Sequence, residues 1–415
     1  MDSLFAVLSV KNKAMGSVAI SKNGNIVYSN AIGYASVNAT EKIPATTHTK
    51  YRIGSITKMF TAVIIFQLVE EKKLSLDDKL EKYFPAVPNA SKITIGNMLN
   101  HHSGIHNFTD DSLYLTYNQK PKTEDELIGI ISSGKPDFEP GTKASYSNSN
   151  FVLLGYIAER ISKRTFKQLV DERIVSKLGL TETYVGTKTN IRNNESYSYS
   201  FISNWNQEPE TDMSIPGAAG DILSTPTDLT KFIDGLFNNK LISSEQLNMM
   251  RTMKDGYGMA MFEVPFYELK GLGHNGGIDG FSSMLYYFPK DSMAVAYCTN
   301  GQVYPMNDVL IGVLSIYYNR NYNIPMFKTQ SLTIEELDKY TGVFSTETFP
   351  LKITISKKEN TLMAQATGQG AFPLEASGKN VFRFDQADVM IEFNDDRSQL
   401  ILTQSGRSFV FKKEK

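Results

Sequence analysis

The stretch Gly54-Ser55-Ile56-Thr57-Lys58 heads a long apolar run, Met59-Phe60-Thr61-Ala62-Val63-Ile64-Ile65-Phe66-Gln67-Leu68-Val69. This run predicts a helix over residues 55 to about 72 that is apolar on nearly all sides because the core surrounds it. Ser55 and Lys58 then share one helical face, with Cβ atoms about 5–6 Å apart. A hydroxyl is a weak nucleophile until a base takes its proton, and a desolvated lysine can be that base. The spacing predicts an activated serine; a capping serine beside a solvated lysine is the alternative.

A second copy of the same spacing shows how little the pattern decides alone. Ser132-Ser133-Gly134-Lys135 lies in a segment with Gly and Pro, which we expect not to hold a helical turn. For Lys58 to act as a base near neutral pH, its pKa must fall by about three units, or roughly 4 kcal/mol. A buried site with a cationic neighbour can supply a shift of that size.

The tripeptide Tyr146-Ser147-Asn148 follows a turn-like stretch and precedes a helical pattern. A tyrosine beside a lysine is expected to have its phenol pKa lowered from about 10, so that Tyr146 can relay a proton. Asn148 offers both a donor and an acceptor to a substrate amide. The same tripeptide at Tyr28-Ser29-Asn30 lies in a plain strand pattern, and an ordinary turn that begins a helix remains the alternative.

A third group, His274-Asn275-Gly276-Gly277, lies near the end of a predicted strand. Glycines there let a ligand approach the backbone closely. The amides of Gly277 and Ser55 are then candidates for the two donors of an oxyanion hole. His102-Ser103-Gly104 has the same pattern elsewhere, and a structural role for His274 is the alternative.

Composition excludes several classes of function. The 415 residues are 41% hydrophobic and 21% charged, with a net charge of −1, so no basic surface for nucleic acid is expected. No apolar run reaches the roughly 18–20 residues that span a bilayer, and the N-terminus lacks the pattern of a signal peptide. The single cysteine, Cys298, excludes an intramolecular disulfide and leaves the compartment open. A metal site at His101, His102, His106 and Asp110 is disfavoured because no zincin pattern is present.

The order of elements predicts an α+β fold. A hairpin turns at Asn23-Gly24, the middle third is helical, and a capping box is predicted at Thr123 and Glu126. A further helix is expected to begin at Thr225-Pro226. Strands return in four runs, so the first hairpin must pair with strands more than two hundred residues later. The remaining expected elements are strands at 257–263, 267–274, 281–288 and 293–299 and a closing helix at 305–318.

The last part of the chain predicts a separate small β unit. After a linker at 321–325 and a short helix at 334–340, short alternating runs fill residues 343–412, which is typical of a small antiparallel barrel. The phenylalanines at 382, 384, 393, 409 and 411 are expected to fill its interior, with a ligand cavity as the alternative. We therefore predict two domains, residues 1–325 and 330–415.

Taken in order, these motifs resemble those of the serine β-lactamase and penicillin-binding-protein superfamily, in its class C β-lactamase and DD-peptidase branch. Further stretches agree, namely 98–105, 218–225 and 273–277. The resemblance covers about residues 10–320 and implies an antiparallel sheet flanked by helices, with a helical subdomain. The C-terminal unit is similar to the lipocalin-like barrels appended to some peptidases of this branch. We predict that this unit shapes the cleft or mediates self-association as a homo-oligomer.

The resemblance implies a role for each motif residue. Ser55 becomes acylated, Lys58 and Tyr146 share the acid and base work, and Asn148 holds the substrate amide. His274 stands where class C β-lactamases carry lysine, and so resembles DD-carboxypeptidases, D-aminopeptidases and esterases. A mostly neutral histidine binds a carboxylate less well than a lysine, which weakens a β-lactamase activity. Asn150-Phe151 departs from the Gly-Tyr of relatives and puts the shape of the pocket in doubt.

The resemblance thus implies a serine hydrolase that forms an acyl-enzyme on D-amino-acid peptides or amides, small esters and, weakly, β-lactams. A penicillin-binding receptor that is acylated without turnover is the alternative. A small-molecule or peptide substrate is expected as partner, together with no cofactor, no metal and no nucleic acid. The resemblance favours a periplasmic or extracellular location, although this chain shows no signal peptide.

Overall fold

The computed structural model describes residues 1–38, 40–327, 330, 332–347, 351–404 and 406–414. Two compact units are present. The larger unit consists of Met15–Tyr199 and Gln207–Gly301 and carries all of the candidate site residues. The other unit consists of Met1–Ala14, Ser200–Asn206 and Gln302–Lys415. The boundary between residues 325 and 330 that the sequence suggests stays a prediction.

The first thirteen strands form one large sheet and three small ones. They are β1 (Ala14–Lys22), β2 (Asn25–Ile32), β3 (Tyr34–Val37), β4 (Lys42–Pro44), β5 (Tyr51–Arg52), β6 (Tyr184–Val185), β7 (Tyr199–Phe201), β8 (Trp205–Gln207), β9 (Ile222–Ser224), β10 (Phe262–Phe266), β11 (Leu269–Ile278), β12 (Phe281–Phe288) and β13 (Met293–Gln302).

The large sheet joins both ends of the larger unit. Its strand order is β10-β11-β12-β13-β1-β2, so the first hairpin lies beside the last strand as the sequence predicts. The hairpin turns at Asn23 and Gly24, whose φ angles are both positive (51° and 75°), as a type I′ turn requires. Gly16 permits the contact between β1 and β13, because a Cβ there would lie against the backbone of Cys298.

Twelve α-helices occur in the described part of the chain. They are α1 (Asp2–Val10), α2 (Thr57–Glu70), α3 (Ile95–Leu99), α4 (Tyr114–Tyr117), α5 (Glu124–Ser133), α6 (Asn148–Ser162), α7 (Phe166–Val170), α8 (Ser176–Leu178), α9 (Pro226–Phe237), α10 (Ser244–Arg251), α11 (Met306–Tyr317) and α12 (Ile334–Asp338).

Helix α2 lies at the centre of the core of the larger unit. Every residue from Thr57 to Leu68 is buried, which confirms a helix with no solvated face. Its first turn differs from the prediction: residues Gly54–Ile56 form a 3₁₀ turn, and the α-helix begins at Thr57. Phe60 stacks on Phe232 of α9 with ring centroids 3.8 Å apart, so two of the predicted helices pack face to face.

Local capping signals are confirmed. Thr123 and Glu126 form the predicted capping box of α5, and the Thr225 hydroxyl accepts from the Asp228 amide at the start of α9. The predicted strand at 257–263 is wrong in its bounds, since β10 begins only at Phe262. Before it, the backbone turns at Ala260, which has a φ of 60° and donates to the Leu99 carbonyl. That long-range bond has no counterpart in the local pattern.

Eight strands of the C-terminal part form a closed barrel, as the alternating runs predict. Phe382, Phe393 and Phe411 fill its interior, whereas Phe384 and Phe409 are only partly buried. Tyr340, which follows α12, packs edge-on against Phe382 and Phe393. The strands are β14 (Gly342–Ser345), β15 (Lys352–Lys358), β16 (Thr361–Ala366), β17 (Phe372–Gly378), β18 (Val381–Phe384), β19 (Val389–Phe393), β20 (Gln399–Gln404) and β21 (Arg407–Lys413).

The whole is an α+β fold with an antiparallel sheet, a helical part and an all-β barrel, which confirms the predicted class. None of the helices in the described ranges combines the length and apolar character that crossing a bilayer requires.

Candidate active site

Ser55 lies in the 3₁₀ turn that leads into α2, where its side chain is partly exposed. The turn depends on Gly54, whose φ of 51° places it in the left-handed region. A Cβ at Gly54 would lie 2.8 Å from both the N and the O of Gly277. The fold therefore brings the serine turn into direct contact with the end of β11.

Lys58 is the second residue of α2 and is fully buried. Its Nζ lies 2.9 Å from Ser55 Oγ, 2.7 Å from Asn148 Oδ1 and 2.8 Å from the Ala219 carbonyl oxygen. Burial lowers the pKa of Lys58 well below its ordinary value. A cationic neighbour was also expected to help lower this pKa, but burial is the cause of the shift. An amine at this position is thus available as a base.

The rings of Tyr146 and Phe151 both pack against the amine of Lys58. The ring centroid of Tyr146 lies 5.0 Å from Lys58 Nζ, and that of Phe151 lies 5.6 Å from the same atom. Burial raises the pKa of Tyr146 above its ordinary value, and a hydrogen bond with Ser55 opposes that rise only in part. The expected lowering of this pKa is therefore wrong, because loss of solvent outweighs the nearby amine. Tyr146 carries its proton at neutral pH.

Asn148 is the first residue of α6 and joins three parts of the site. In the side chain, Oδ1 accepts from Lys58 and Nδ2 donates to Thr109 Oγ1 at 3.0 Å. The backbone N–H of Asn148 donates to Asn107 Oδ1 at 2.9 Å. Thr109 lies in the 3₁₀ turn Phe108–Asp110, and Asn107 directly precedes that turn. Both are about 40 residues from Asn148 in the sequence, and neither stands out there. The Asn148 amide group is thereby fixed with its oxygen toward the lysine.

His274 lies on β11 and is buried. Its Nδ1 is hydrogen-bonded to the Asn275 carbonyl oxygen, which can only accept, so Nδ1 carries the proton. Its Nε2 is buried and has no hydrogen-bond partner among the described residues. Burial, helped by the charge of Lys58, lowers the pKa of His274 to about 3. The ring is neutral under physiological conditions.

His101 lies at the site, although none of the three sequence motifs includes it. Its ring stacks on Tyr146 with centroids 4.5 Å apart, and its Nδ1 accepts from the Ser147 amide at 3.1 Å. That bond places the ring proton on Nε2, which is buried without a partner in the described part of the chain. Burial, followed by the charge of Lys58, lowers the pKa of His101 well below its ordinary value. Two neutral histidines thus flank Tyr146.

Gly276 and Gly277 differ in what surrounds them. A Cβ at Gly276 would collide with the Ile53 carbonyl oxygen, whereas a Cβ at Gly277 would meet only the Phe281 oxygen at 3.9 Å. Gly276 is therefore required for the contact between β11 and the serine turn. Gly277 faces an open cavity, and Ser55 lines the same cavity.

That cavity has a volume of about 510 Å³ and is lined by Ser55 and Gly277, whose amides are the two candidate oxyanion donors. The rest of the wall mixes aromatic and aliphatic residues with polar ones. None of the described residues that line it is Lys or Arg, and its single carboxylate is that of Asp279. The other lining residues are Gly54, Phe108, Thr109, Tyr114, Leu115, Asn118, Asn148, Thr211, Pro216, Ala219, Gly220, Ile278, Phe281 and Ser282.

The remaining histidines lie apart from one another. His102 Nε2 lies 3.0 Å from Asp255 Oδ2, and His106 lies between Asp111 and Asp137. Within the described ranges, no group of three or more His, Cys, Asp or Glu side chains is arranged to hold a metal ion.

Ser55 and Gly277 line one cavity, and the buried amine of Lys58 lies beside Ser55, an arrangement that fits the site of a serine hydrolase. Residues 9–312 match the beta-lactamase family, and the chain belongs to that family.

Three similar proteins extend this relationship. Penicillin-binding protein 4* of Bacillus subtilis (strain 168) is 26% identical over 98% of this chain and 96% of its own length. The structure of a D-stereospecific amidohydrolase from Streptomyces sp. is 30% identical, with a TM-score of 0.62, over 72% of this chain and 93% of that chain. The octameric penicillin-binding protein homologue from Pyrococcus abyssi is 23% identical, with a TM-score of 0.69, and covers 99% of both chains.

Proposed function

We propose that this serine hydrolase acts through an acyl-enzyme on D-amino-acid amides and peptides, and on related small amides and esters. The environment of Lys58 Nζ is the observation that carries the proposal. A neutral amine has two N–H groups and one lone pair. Two of its three neighbours, Asn148 Oδ1 and the Ala219 carbonyl, can only accept. They take both N–H groups, and the lone pair is left for the Ser55 hydroxyl.

The reaction then follows from these contacts. The Ser55 proton passes to Lys58 as Oγ attacks the substrate carbonyl carbon, and the amides of Ser55 and Gly277 donate to the resulting oxyanion. The proton leaves Lys58 through Tyr146 to the departing nitrogen or oxygen, and the bond to the leaving group breaks. Water then adds to the acyl-enzyme by the same route and releases the acid.

The neutral state of His274 supports amides and esters without a carboxylate over β-lactams. The Nδ1–H group of His274 already donates a hydrogen bond to the Asn275 carbonyl oxygen, and Nε2 carries only a lone pair. His274 therefore has no hydrogen-bond donor left for a substrate anion. No cation lines the described cavity either. We therefore place hydrolysis of β-lactams and of free C-terminal peptides below that of D-amino-acid amides, in line with the similarity to a D-stereospecific amidohydrolase.

Turnover of D-alanine p-nitroanilide and p-nitrophenyl acetate tests the proposal. We expect steady multiple turnover that Ser55→Ala abolishes. Ser132→Ala is the matched control, because Ser132 stands in the second Ser-x-x-Lys sequence and lies outside the site. A stoichiometric burst with no steady rate would instead identify an acylated receptor, and equal rates in Ser55→Ala would overturn the proposal.

Intact-mass analysis of the enzyme during ester turnover locates the acyl group. We expect a mass increase of one acyl group, carried by the tryptic peptide with Ser55 and lost on standing. An adduct on any other residue would contradict the proposed nucleophile.

We further propose that the chain self-associates through its C-terminal barrel. Ile401 of β20 and Val410 of β21 lie directly opposite each other and remain exposed at 40% and 50%. An apolar pair on the outside of a barrel is suited to contact with a second copy. The Pyrococcus abyssi homologue, which is octameric, agrees with this proposal.

A further inference from the structure

The cavity beside Ser55 has a polar end that the proposed reaction does not use. Asp279 lies there, two residues after Gly277 in the chain, and its carboxylate is only 7% exposed. It accepts from the Thr211 hydroxyl at 2.6 Å and from the Thr211 amide at 3.1 Å. Its third partner, Arg52, is more distant, with Nη1 at 3.4 Å from Oδ2.

Arg52 is committed mainly to other acceptors. Its Nη2 lies 2.6 Å from Glu210 Oε2, and its Nη1 donates to the Thr211 carbonyl at 2.8 Å. One buried guanidinium thus faces two carboxylates, and the cluster carries an excess of negative charge. Burial raises the pKa of Asp279 above its ordinary value and the charge of Glu210 adds to that rise, while the hydrogen bonds from Thr211 and the charge of Arg52 oppose it. The Asp279 carboxylate therefore lacks a full cationic partner.

An acceptor without a partner lies in the same wall. Asn118 follows α4 and is buried, and its Nδ2 donates to Thr211 Oγ1 at 3.1 Å. Its Oδ1 is buried and accepts no hydrogen bond from the described residues. An unpaired buried acceptor costs free energy, which a donor on a ligand would recover. The end of the cavity thus offers acceptors and negative charge.

The distance suits an amino group on the acyl part of a substrate. Two residues span at most about 7 Å, so Asp279 lies close to the Gly277 amide that receives the carbonyl oxygen. In an aminoacyl compound, the α-nitrogen is two bonds from the carbonyl carbon. A primary ammonium has three N–H donors and a full positive charge.

We propose that Asp279 and Asn118 form an ammonium subsite that receives the free α-amino group of an aminoacyl amide or ester. This inference rests on the proposed function and narrows its substrate class to compounds with an unblocked amino group. Phe108, Tyr114 and Phe281 of the same wall are left to pack the side chain of the amino acid. N-acylated peptides and deamino analogues lack the charge that the subsite needs.

The test compares two anilides that differ only in the amino group, D-alanine p-nitroanilide and propionic acid p-nitroanilide. We expect kcat/KM of the wild-type enzyme to favour the alanine compound by about 100-fold, typical of a buried charged contact. Asp279→Asn should lower this ratio at least tenfold. A wild-type ratio near one, or a ratio that Asp279→Asn does not change, would overturn the subsite.

Two further measurements distinguish a carboxylate that binds the substrate ammonium from one that only stabilises the surrounding structure. Glu210→Gln removes the other carboxylate that faces Arg52 and leaves Asp279 in place, so we expect it to keep the ratio; if it lowers the ratio as Asp279→Asn does, the effect comes from the charge of the cluster and not from contact with Asp279. Asp110→Asn removes an exposed charge near Thr109 and controls for distant electrostatics. Above about pH 8, where an α-ammonium loses its proton, KM for the alanine anilide should rise in wild type but not in Asp279→Asn.

Failure of the subsite can be distinguished from failure of the serine mechanism. If Ser55→Ala abolishes hydrolysis of both anilides while the ratio is near one, the serine mechanism holds and the subsite fails. If Ser55→Ala hydrolyses both anilides like wild type, the mechanism itself fails.

Discussion

Lys58 illustrates how a single residue gains its chemistry from where it is placed. Nothing in the side chain distinguishes it from Lys135, which follows a serine at the same spacing but lies in an exposed segment. Burial at the head of α2 lowers the pKa of Lys58, and two carbonyl oxygens leave its lone pair toward Ser55. The two lysines thus differ in their exposure to solvent and in their neighbours.

Replacement of this lysine measures its contribution. We expect Lys58→Ala to lower kcat/KM for p-nitrophenyl acetate by about 10²–10⁴-fold, the usual loss for a general base. Lys135→Ala is the matched control and should stay within about twofold of wild type. Equal activities of the two variants would remove Lys58 from the mechanism.

The pH profile follows from the two shifted groups. The pKa of Lys58 is lowered, so its base form accumulates at lower pH than in a free lysine, and kcat/KM should rise with pH through that value. The pKa of Tyr146 is raised, so activity should fall only above about pH 10. An amine-free ester is the substrate, because it does not titrate itself.

Two results would contradict this profile. A first inflection above pH 9 would mean that Lys58 is not desolvated. An inflection near pH 6.5 that disappears in His274→Gln would mean that His274 titrates, although burial lowers its pKa to about 3.

His101 is expected to position Tyr146. His101 has a φ of 61°, which asparagine tolerates, so His101→Asn removes the stacked ring and keeps the backbone. We expect kcat to fall about tenfold with KM nearly unchanged, and the alkaline limb of the pH profile to move, because the Tyr146 ring loses its packing. His102→Asn, whose ring faces Asp255, is the control. An unchanged alkaline limb would make His101 merely structural.

At the scale of elements, the contact between β11 and the serine turn is the critical junction. Gly276→Ala would force a Cβ into the Ile53 carbonyl, so we expect a loss of stability of about 1–3 kcal/mol or more and loss of activity. Gly129→Ala is the control, since Gly129 lies on α5 outside the site and a Cβ there would meet nothing within 4 Å. Thermal unfolding and ester turnover of both variants test this, and two equally stable, active variants would disprove the close contact.

The elements that could be predicted from the sequence are those with local causes. The turn at Asn23-Gly24, the capping box of α5 and the Thr225 cap of α9 depend on residues within a few positions of each other. β10 was placed too early because its start depends on a bond from Ala260 to Leu99, far away in the chain.

The same distinction applies to the site. The three motifs name Ser55, Lys58, Tyr146, Asn148 and His274, and the fold brings these residues together. The residues that surround them could not be predicted from the sequence, for physical reasons. The Ala219 contact is a backbone carbonyl, which carries no signature. Thr109 and Asp279 are ordinary turn residues that act only through their location.

At the scale of the whole molecule, the assembly can be measured directly. If the barrel mediates self-association, light scattering should give a multiple of the 46.4 kDa chain mass. The double substitution of Ile401→Lys and Val410→Lys should lower that mass, because like charges then face each other across the contact. Gln365→Lys is the control, since Gln365 is exposed on β16, four strands away from β20 in the barrel. A monomeric wild-type protein, or an unchanged mass in the double variant, would contradict the proposal.

The position of β1 beside β13 has a consequence for biosynthesis. The hairpin leaves the ribosome first, but its neighbour in the sheet ends at Gln302. At 5–20 residues per second, roughly 14–54 s pass between the completion of the hairpin at Ile32 and that of the partner strand at Gln302. During that time the edge of β1 has no neighbour and is open to wrong pairing. Slow translation should therefore make this chain more dependent on chaperones, and a circular permutation that places β1 after β13 should relieve that dependence.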